Sequence, residues 1–421
     1  MITFIISALK IIILLGFLIF IHELGHFLVA KLCKVKVNEF ALGFGPVLFK
    51  KKGKETIYQL RLIPLGGFVS MEGEEERSEE KGAFNKVCIP KRIAIVAAGG
   101  LVNIIFAIIV YMGLQTYTGN NVTTEITQCT SGYAAESVGL QTGDIIKKIN
   151  GKTVRRQSDI NKIVNNSNGE ELTVTIQRND QNIDYKILPT VLEYNATGMF
   201  LESEHSTKIQ GFDSSASIQN QGFKIGDIII SVNNINVEND ANKLSEILQD
   251  NIQNNNEKMQ FIVKRNNEQI TIDVTPIKEK KYLLGVQLKK ADNTFANNFY
   301  YAIFNTGDFA FSIIDNIKML FSGKVSTNDL MGPVGISSVV AKTNCFQEFI
   351  YILALISLSL GVTNLLPFPP LDGGKIVLLI IEAIRRKPLK EKYEIGIQMV
   401  GFGLMIMLSL YVTFNDINRI V

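Results

Sequence analysis

The sequence is poor in the residues that usually mark metal-binding and nucleic-acid-binding proteins. Its 421 residues include only three histidines and four cysteines, and the formal net charge is +3. No two cysteines have the C-x-x-C spacing of a cysteine zinc site. No stripe of basic residues with interleaved aromatic residues is present, so nucleic acid is not an expected partner. The chain is instead 46% hydrophobic, and its apolar residues are concentrated near its two ends.

These apolar residues predict four membrane-spanning helices. Three segments, at 93–117, 349–366 and 395–414, contain no charged residue, and a fourth lies at about residues 4–30. Each approaches or exceeds the roughly 20 residues that a helix needs to cross a bilayer. We therefore expect a polytopic α-helical protein in a lipid bilayer, with a first membrane part at 1–117 and a second at 349–421.

Basic residues predict the orientation of these helices. Residues 31–92 contain 13 Lys or Arg, and the short segment RRKPLKEK at 385–392 contains five. By the positive-inside rule both segments should be cytoplasmic. Residues 118–348 and both termini then lie on the opposite side, which is the periplasm if the membrane is a bacterial inner membrane. Cys129 and Cys345 would share that oxidising side, but the sequence does not show whether they can form a disulfide.

An internal repeat lies between the second and third predicted helices. The segment GLQTGDIIKKING from Gly139 aligns without gaps with GFKIGDIIISVNN from Gly222, at an offset of 83 residues. Each copy predicts a glycine turn, a short strand and a second turn, and a helix follows. The pattern resembles bacterial PDZ domains, which implies two inserted α+β domains, at 118–200 and 201–280. Two interpretations stay open, peptide binding by strand addition and a role as spacer or steric cover.

The region after the repeat, residues 281–348, is predicted to be a linker. Within it, residues 297–321 indicate an amphipathic helix that lies on the membrane surface.

Two of the three histidines lie in the motif HELGH at residues 22–26, at the end of the first apolar segment. A helix advances about 100° per residue, so His22 and His26 project from one face, one turn apart, as two ligands of one zinc ion require. Glu23 lies beside them, where it would accept a proton from a zinc-bound water. A charged residue near the centre of a membrane helix costs roughly 2.5–3.5 kcal/mol, so Glu23 is a functional candidate. His205, the third histidine, has no partner pattern and is predicted to be a surface residue.

A catalytic zinc ion needs a third protein ligand, and Asp372 is the candidate. It lies in the segment NLLPFPPLDGG, residues 364–374, between two apolar stretches. The three prolines of this segment forbid a regular helix, and the two glycines free the backbone just beyond the aspartate. Such a break would turn Asp372 inward. The alternative is a helix stop followed by an N-cap aspartate.

Together, HELGH and NLLPFPPLDGG resemble the motifs of the site-2 protease family of intramembrane zinc metalloproteases. Four membrane helices, with two tandem PDZ-like domains between the second and third, match its regulator of sigma-E protease group from Gram-negative bacteria. The resemblance implies that His22, His26 and Asp372 bind Zn2+ and that Glu23 is the general base and acid. One departure is Gly100, where many relatives have proline, and it leaves the bend of the second helix open.

The resemblance also implies how substrate is held. Asn364 and Pro367 would bind substrate near the metal. The loop at 36–90 would contain a membrane re-entrant β-hairpin, and Thr56–Met71, around Gly66 and Gly67, would clamp an unwound substrate helix as an added strand. The implied substrates are single-pass membrane proteins, namely anti-sigma factors already trimmed on the periplasmic side and remnant signal peptides. The PDZ-like pair would then be a size filter in the sigma-E stress response.

Two alternatives from other classes stay open at this point. One is a non-proteolytic membrane scaffold that holds peptides with its PDZ-like pair. The other is a metal transporter in which His22, His26 and Asp372 form a transit site, and this alternative gives Glu23 no role as a base.

Overall fold

The computed structural model describes residues 2–74, 76–196, 198–203, 206–212, 221–253, 258–265, 268–275, 277–322, 331–341, 343 and 345–420. His205, predicted to be a surface residue, lies outside these ranges. The chain forms two compact units. One comprises residues 1–118 and 293–419, and the other comprises residues 119–292.

The α-helices of the described residues are as follows in chain order: α1 Ile2–Leu32, α2 Ile89–Thr118, α3 Ala134–Ser137, α4 Gln157–Asn166, α5 Ala241–Gln253, α6 Phe295–Phe321, α7 Pro333–Ala341, α8 Phe346–Asn364, α9 Asp372–Arg385 and α10 Glu391–Ile420. Four of them, α1, α2, α8 and α10, are long and apolar enough to cross a membrane. The prediction of four apolar membrane helices is therefore confirmed. Helix α6 covers the segment predicted to be amphipathic.

The strands are as follows: β1 Val37–Lys52, β2 Ile57–Met71, β3 Val122–Cys129, β4 Ile145–Ile149, β5 Lys152–Thr153, β6 Leu172–Arg178, β7 Gln181–Ile187, β8 Thr190–Ala196, β9 Met199–Ser203, β10 Ser206–Phe212, β11 Ile228–Val232, β12 Ile235–Asn236, β13 Met259–Arg265, β14 Glu268–Val274, β15 Ile277–Leu283 and β16 Val286–Lys290. Strands β1 and β2 pair as an antiparallel hairpin in the helical unit. All the others belong to the second unit.

Helices α1, α2 and α8 cross at glycines. A Cβ added to Gly25 of α1 would lie 2.6 Å from the Ala98 carbonyl oxygen, and one added to Gly361 of α8 would lie 2.6 Å from the Gly100 carbonyl oxygen. Membrane helices gain little from the hydrophobic effect when they associate, so close van der Waals packing at small residues stabilises such crossings. Gly100 therefore serves the contact between α2 and α8, and α2 continues through it as one helix.

Two charged side chains of the helical unit lie at the ends of α7. The Lys10 ammonium of α1 donates a 2.7 Å hydrogen bond to the Thr343 carbonyl oxygen, just beyond α7. The Gly335 N–H in the first turn of α7 donates a 2.7 Å hydrogen bond to Asp416 of α10. A cation thus lies at the C-terminal end of α7 and an anion at its N-terminal end, which is the favourable arrangement for the helix dipole.

The second unit contains two sheets of similar build. Their strand orders are β16-β3-β4-β6-β7 and β14-β13-β11-β10-β9, with short strands β5 and β12 on β4 and β11, and β8 pairs with β15. Edge strand β16 of the first sheet follows the whole second sheet in the chain. The strand Val286–Lys290, which lies in the region predicted to be a linker, thus completes the edge of the first sheet.

The repeated residues have the same contacts in both sheets. Asp144 accepts a 2.8 Å hydrogen bond from the Gln141 N–H and two 2.7 Å bonds from Arg178. Asp227 accepts equivalent bonds from the Lys224 N–H and from Arg265. The self-similarity in the sequence therefore reflects a duplicated ion pair at the start of equivalent strands. Burial opposes ionisation of Asp144, but the Arg178 and Gln141 hydrogen bonds hold its pKa below the usual value.

Candidate active site

Helix α1 carries the three predicted functional residues of HELGH near its C-terminal end. Its apolar residues favour a membrane helix, and His22 and His26 lie one turn apart on one side of it. Their Nε2 atoms are 3.2 Å from each other. The Asp372 Oδ2 atom lies 3.3 Å from Nε2 of His22 and 3.4 Å from Nε2 of His26. The structure therefore brings together residues that are 346 positions apart in the chain.

The three atoms form a nearly equilateral triangle that fits a zinc ion. A tetrahedral site with donor atoms at about 2.0–2.1 Å from the metal has donor-to-donor separations of about 3.3 Å. The His22, His26 and Asp372 side chains are only 13%, 11% and 17% exposed. Among the described residues, these three ligand-type side chains have donor atoms that all lie within 4.8 Å of one another.

The hydrogen bonding of His26 supports the same fit. Its Nδ1 atom lies 2.9 Å from the Ile95 carbonyl oxygen. A carbonyl oxygen only accepts, so Nδ1 carries the proton and, in the neutral ring, Nε2 presents a lone pair. Asp372 Oδ2 is buried and has no hydrogen-bond partner among the described residues. Lone pairs of a histidine and a carboxylate thus converge on one point, an arrangement that a bound cation stabilises.

The break between α8 and α9 positions Asp372. Helix α8 ends at Asn364 and α9 begins at Asp372, with the three prolines in the irregular segment between them. A Cβ on Gly373 would overlap the Leu366 carbonyl oxygen, so this turn needs glycine for close backbone packing. The N-cap residue of α9 is Leu371, and Asp372 is the first helical residue. The alternative of an N-cap aspartate therefore does not describe the structure.

Helix α9 is held against α2 by a buried ion pair. The Arg92 guanidinium donates hydrogen bonds of 3.1 and 2.6 Å to the two Glu382 carboxylate oxygens. One turn after Asp372, the Lys375 ammonium donates to Glu74, in the loop after β2, at 3.1 Å. A paired guanidinium and carboxylate with two parallel bonds fix orientation as well as distance. These contacts fix the helix that carries the third ligand candidate.

Gly99 of α2 lies directly against both histidines. A Cβ at this position would overlap His26 Nε2 and would lie 2.7 Å from His22 Cε1. The residue is buried in a regular helix, so close approach is the reason for glycine here. A search of the sequence for ligand-type residues would not identify this glycine.

The hairpin approaches the site at Gly67. A Cβ on Gly67 would lie 3.0 Å from Glu23 Cγ and 3.0 Å from the Ala41 carbonyl oxygen. Gly66 has a positive φ of 140°, and a Cβ there would overlap the Phe44 ring. The two glycines of β2 thus allow the strand to pass beside the acidic residue of HELGH.

The two remaining predicted substrate residues are in the segment between α8 and α9. Asn364 is the last residue of α8 and is half-buried, and its side chain makes no hydrogen bond with the described residues. Pro367 is exposed. Neither has a contact that assigns it a role.

One polar neighbour of the site, Asn103 of α2, was missed by the sequence analysis. Its Nδ2 atom lies 3.4 Å from Nδ1 of His22, and the residue is completely buried. The signal was present, because a polar residue within an uncharged membrane segment is a functional candidate. It also lies four positions after Gly99, on the same face of the helix.

Comparison with known proteins matches most of the chain to a peptidase family. The model of peptidase family M50 matches residues 10–408. The regulator of sigma-W protease RasP of Bacillus subtilis is 30% identical over 99% of this chain and 99% of its own length. The regulator of sigma E protease of Haemophilus influenzae is 28% identical, over 97% of this chain and 98% of its own. The zinc metalloprotease RasP of Shouchella clausii is 26% identical, over 96% of each chain.

One solved structure, the PDZ domain of HtrA3 bound to a phage-derived ligand, is 17% identical. The similarity covers 22% of this chain and 93% of that domain, with a TM-score of 0.18. A score this low carries no argument about the fold.

Proposed function

Since this chain belongs to peptidase family M50 and is a zinc metalloprotease by that membership, we propose that it cleaves transmembrane segments of single-pass membrane proteins. The observation that carries the proposal is the triangle of His22 Nε2, His26 Nε2 and Asp372 Oδ2, with sides of 3.2 to 3.4 Å. His22 and His26 belong to α1, which is apolar enough to cross a membrane, and Asp372 is the first residue of α9.

In this proposal His22, His26 and Asp372 hold the zinc ion. When bound, zinc polarises the scissile carbonyl and lowers the pKa of a water molecule from 15.7 to about 7. Glu23 takes a proton from the attacking water and then gives it to the leaving amine. Its neighbour Gly67 leaves room for this side chain beside the strand. A carboxylate in this position is what distinguishes a hydrolase from a metal transporter that uses the same three ligands.

The hairpin is the proposed substrate clamp. A peptide bond within a helix has its carbonyl oxygen hydrogen-bonded, so the substrate helix must open before water attacks. Residues 39–42 of β1 pair on both sides, with 57–60 and with 67–70 of β2. The segment 67–70 has no further strand partner among the described residues, so an unwound substrate has an edge to pair with beside Glu23. Gly66, Asn364 and Pro367 would line the same path.

The proposed substrates are membrane proteins with a short remaining outer part, such as trimmed anti-sigma factors and remnant signal peptides. Support comes from the names of two relatives, regulator of sigma-W protease RasP and regulator of sigma E protease. We propose that the protein lies in the inner membrane of a bacterium with residues 119–292 in the periplasm, where the two sheets exclude bulky substrates. HELGH lies near the C-terminal end of α1, which leads into the basic loop, so cleavage is expected near the cytoplasmic end of the substrate helix.

The decisive experiment compares wild type with Glu23→Gln in purified full-length protein. We expect zinc content to stay near one ion per chain and cleavage of a model transmembrane helix to fall by at least about 10³-fold, because the base is lost. Glu391→Gln, an exposed acidic residue in the first turn of α10, is the matched control and should cleave normally. Normal cleavage by Glu23→Gln would reject the proposal. Zinc flux into vesicles without cleavage would favour the transporter, and peptide binding alone would favour the scaffold.

The substrate clamp has its own test. Proline removes a backbone N–H and cannot pair as an added strand requires, so proline at positions 68, 69 and 70 of β2, one at a time, should impair cleavage at one or more positions while zinc is retained. Lys51→Pro, at the far end of the hairpin, is the control. Unchanged cleavage in all three variants would eliminate the clamp.

The size filter is tested by deleting residues 119–292. The Asn293 side chain donates a 2.9 Å hydrogen bond to the Thr116 carbonyl oxygen, so the ends of the helical unit are adjacent and can be joined directly. We expect the deletion variant to cleave substrates that retain a folded outer domain, which wild type rejects. Retained rejection would contradict the filter.

A further inference from the structure

The side chain of Asn103 lies against the metal-ligand candidate His22, on the side of the ring that faces away from the metal triangle. The Asn103 Nδ2 atom is 3.4 Å from His22 Nδ1, and Asn103 is 0% exposed. We propose that Asn103 is a positioning residue, whose amide oxygen accepts a hydrogen bond from His22 Nδ1–H and thereby fixes the ring with Nε2 toward zinc. This inference rests on the proposed ligand role of His22.

The argument begins with the two histidine tautomers. His26 donates its Nδ1 proton to the Ile95 carbonyl oxygen at 2.9 Å. For His22 to bind a metal through Nε2, that atom must also be unprotonated, so Nδ1 must carry the proton in the neutral ring. A buried Nδ1–H requires an acceptor, since an unpaired buried donor costs about 1–3 kcal/mol. Asn103 is the residue whose side chain faces this atom.

In the present orientation, the Asn103 amide does not match a His22 ring that carries its proton on Nδ1. Rotation of the amide removes this mismatch. With Nδ2 toward Nδ1 of His22, two donors face each other, and Asn103 Oδ1 is buried without a partner. A rotation of the amide by 180° exchanges Oδ1 and Nδ2 and moves no other heavy atom. Oδ1 then accepts a hydrogen bond from His22 Nδ1–H, so one buried donor and one buried acceptor are satisfied together.

The backbone carbonyl oxygen of Asn103 has a partner of its own on α8. The Ser357 hydroxyl of α8 donates a 2.9 Å hydrogen bond to the Asn103 backbone carbonyl oxygen. Ser357 is itself 0% exposed. This bond fixes the helix without touching His22, so Ser357 provides a matched control for a general packing effect at the same contact between α2 and α8.

The experiment measures zinc affinity of the purified full-length protein by competition with a chelator, with zinc alone as the ligand. Partners of metal-bound histidines typically contribute 10–100-fold to metal affinity. We expect Asn103→Leu, of similar size but without an acceptor, to bind zinc about 10–100-fold more weakly. Asn103→Asp keeps the acceptor and should bind within about threefold of wild type, and Ser357→Ala should be unchanged.

Wild-type zinc affinity in Asn103→Leu would overturn the inference, and so would a loss in Asn103→Asp as large as that in Asn103→Leu. If Asn103→Leu does not yield a monodisperse protein, Asn103→Ala takes its place under the same criteria. An equal loss in Ser357→Ala would also overturn it, because packing alone would then explain the effect. Failure of wild type to bind zinc would instead reject the proposed function.

Discussion

Adding a single methyl group at Gly99 tests the geometry of the proposed metal centre directly. Gly99→Ala adds a Cβ that would overlap His26 Nε2 and lie 2.7 Å from His22 Cε1. Ordinary contacts begin at 3.4 Å, so His22 must move by about 0.7 Å and His26 by more. On its other side the His26 ring is held by the Ile95 carbonyl oxygen at 2.9 Å, and the His22 ring lies against Asn103. The added methyl group therefore pushes the two ligand candidates against their supports.

The size of the effect follows from these distances. Overpacking of a well-packed site typically costs about 1–3 kcal/mol, and a misplacement of about 1 Å can lower the rate about 10²-fold. We expect Gly99→Ala to lose zinc affinity by about 10–100-fold and cleavage by at least about 10²-fold. Glycine to alanine in an exposed helical position has the opposite sign and stabilises by up to about 1 kcal/mol.

Gly113 of the same helix is the matched control. A Cβ there meets nothing within 4 Å, so Gly113→Ala should keep full zinc affinity and cleavage. The assay is zinc content after dialysis against a chelator, together with cleavage of a model transmembrane helix in detergent. Wild-type zinc affinity in Gly99→Ala would refute the geometry of the site, and an equal loss in Gly113→Ala would show that the effect is not specific.

Two further predictions concern the strand beside the site and the duplicated ion pair. Gly67→Ala brings a Cβ to 3.0 Å from Glu23 Cγ, so we expect cleavage to fall about 10-fold with zinc retained, whereas Gly403→Ala, which meets nothing within 4 Å, should leave it unchanged. Zinc loss in Gly67→Ala would show a wider disruption. Asp144→Asn weakens the ion pair with Arg178, so hydrogen exchange in β4 should be faster than in wild type at pH 7. Since the folded pKa of Asp144 is lowered, its contribution is full above the unfolded value of about 3.9 and is lost as pH falls through the folded pKa. The difference from wild type should therefore shrink below about pH 3.9, and a difference independent of pH would contradict the assignment.

The four membrane helices could be predicted from the sequence because length and apolar composition are local properties of a segment. The repeat was also visible in the sequence, because equivalent residues such as Asp144 and Asp227 are identical. These two residues accept the same hydrogen bonds in their two sheets. Strand β16 was not assigned to the first sheet, because its equivalent in the second sheet, β9, precedes its repeat motif in the chain, while β16 follows at the end. Sequence similarity marks the turns of a sheet, and it does not show which distant strand completes its edge.

The proposed metal centre shows the same division at atomic scale. The grouping of His22, His26 and Asp372 could be predicted because few residue types bind zinc and the broken helix around Asp372 is unusual in a membrane segment. The acceptor for His26 could not be found, because it is the Ile95 carbonyl oxygen, and every residue has a carbonyl group. Asn103 stands between these cases, since a buried amide among apolar residues is conspicuous but does not indicate which histidine it faces. Residues that orient ligands are therefore visible in a sequence only to the extent that their side chains, rather than their backbone, make the contact.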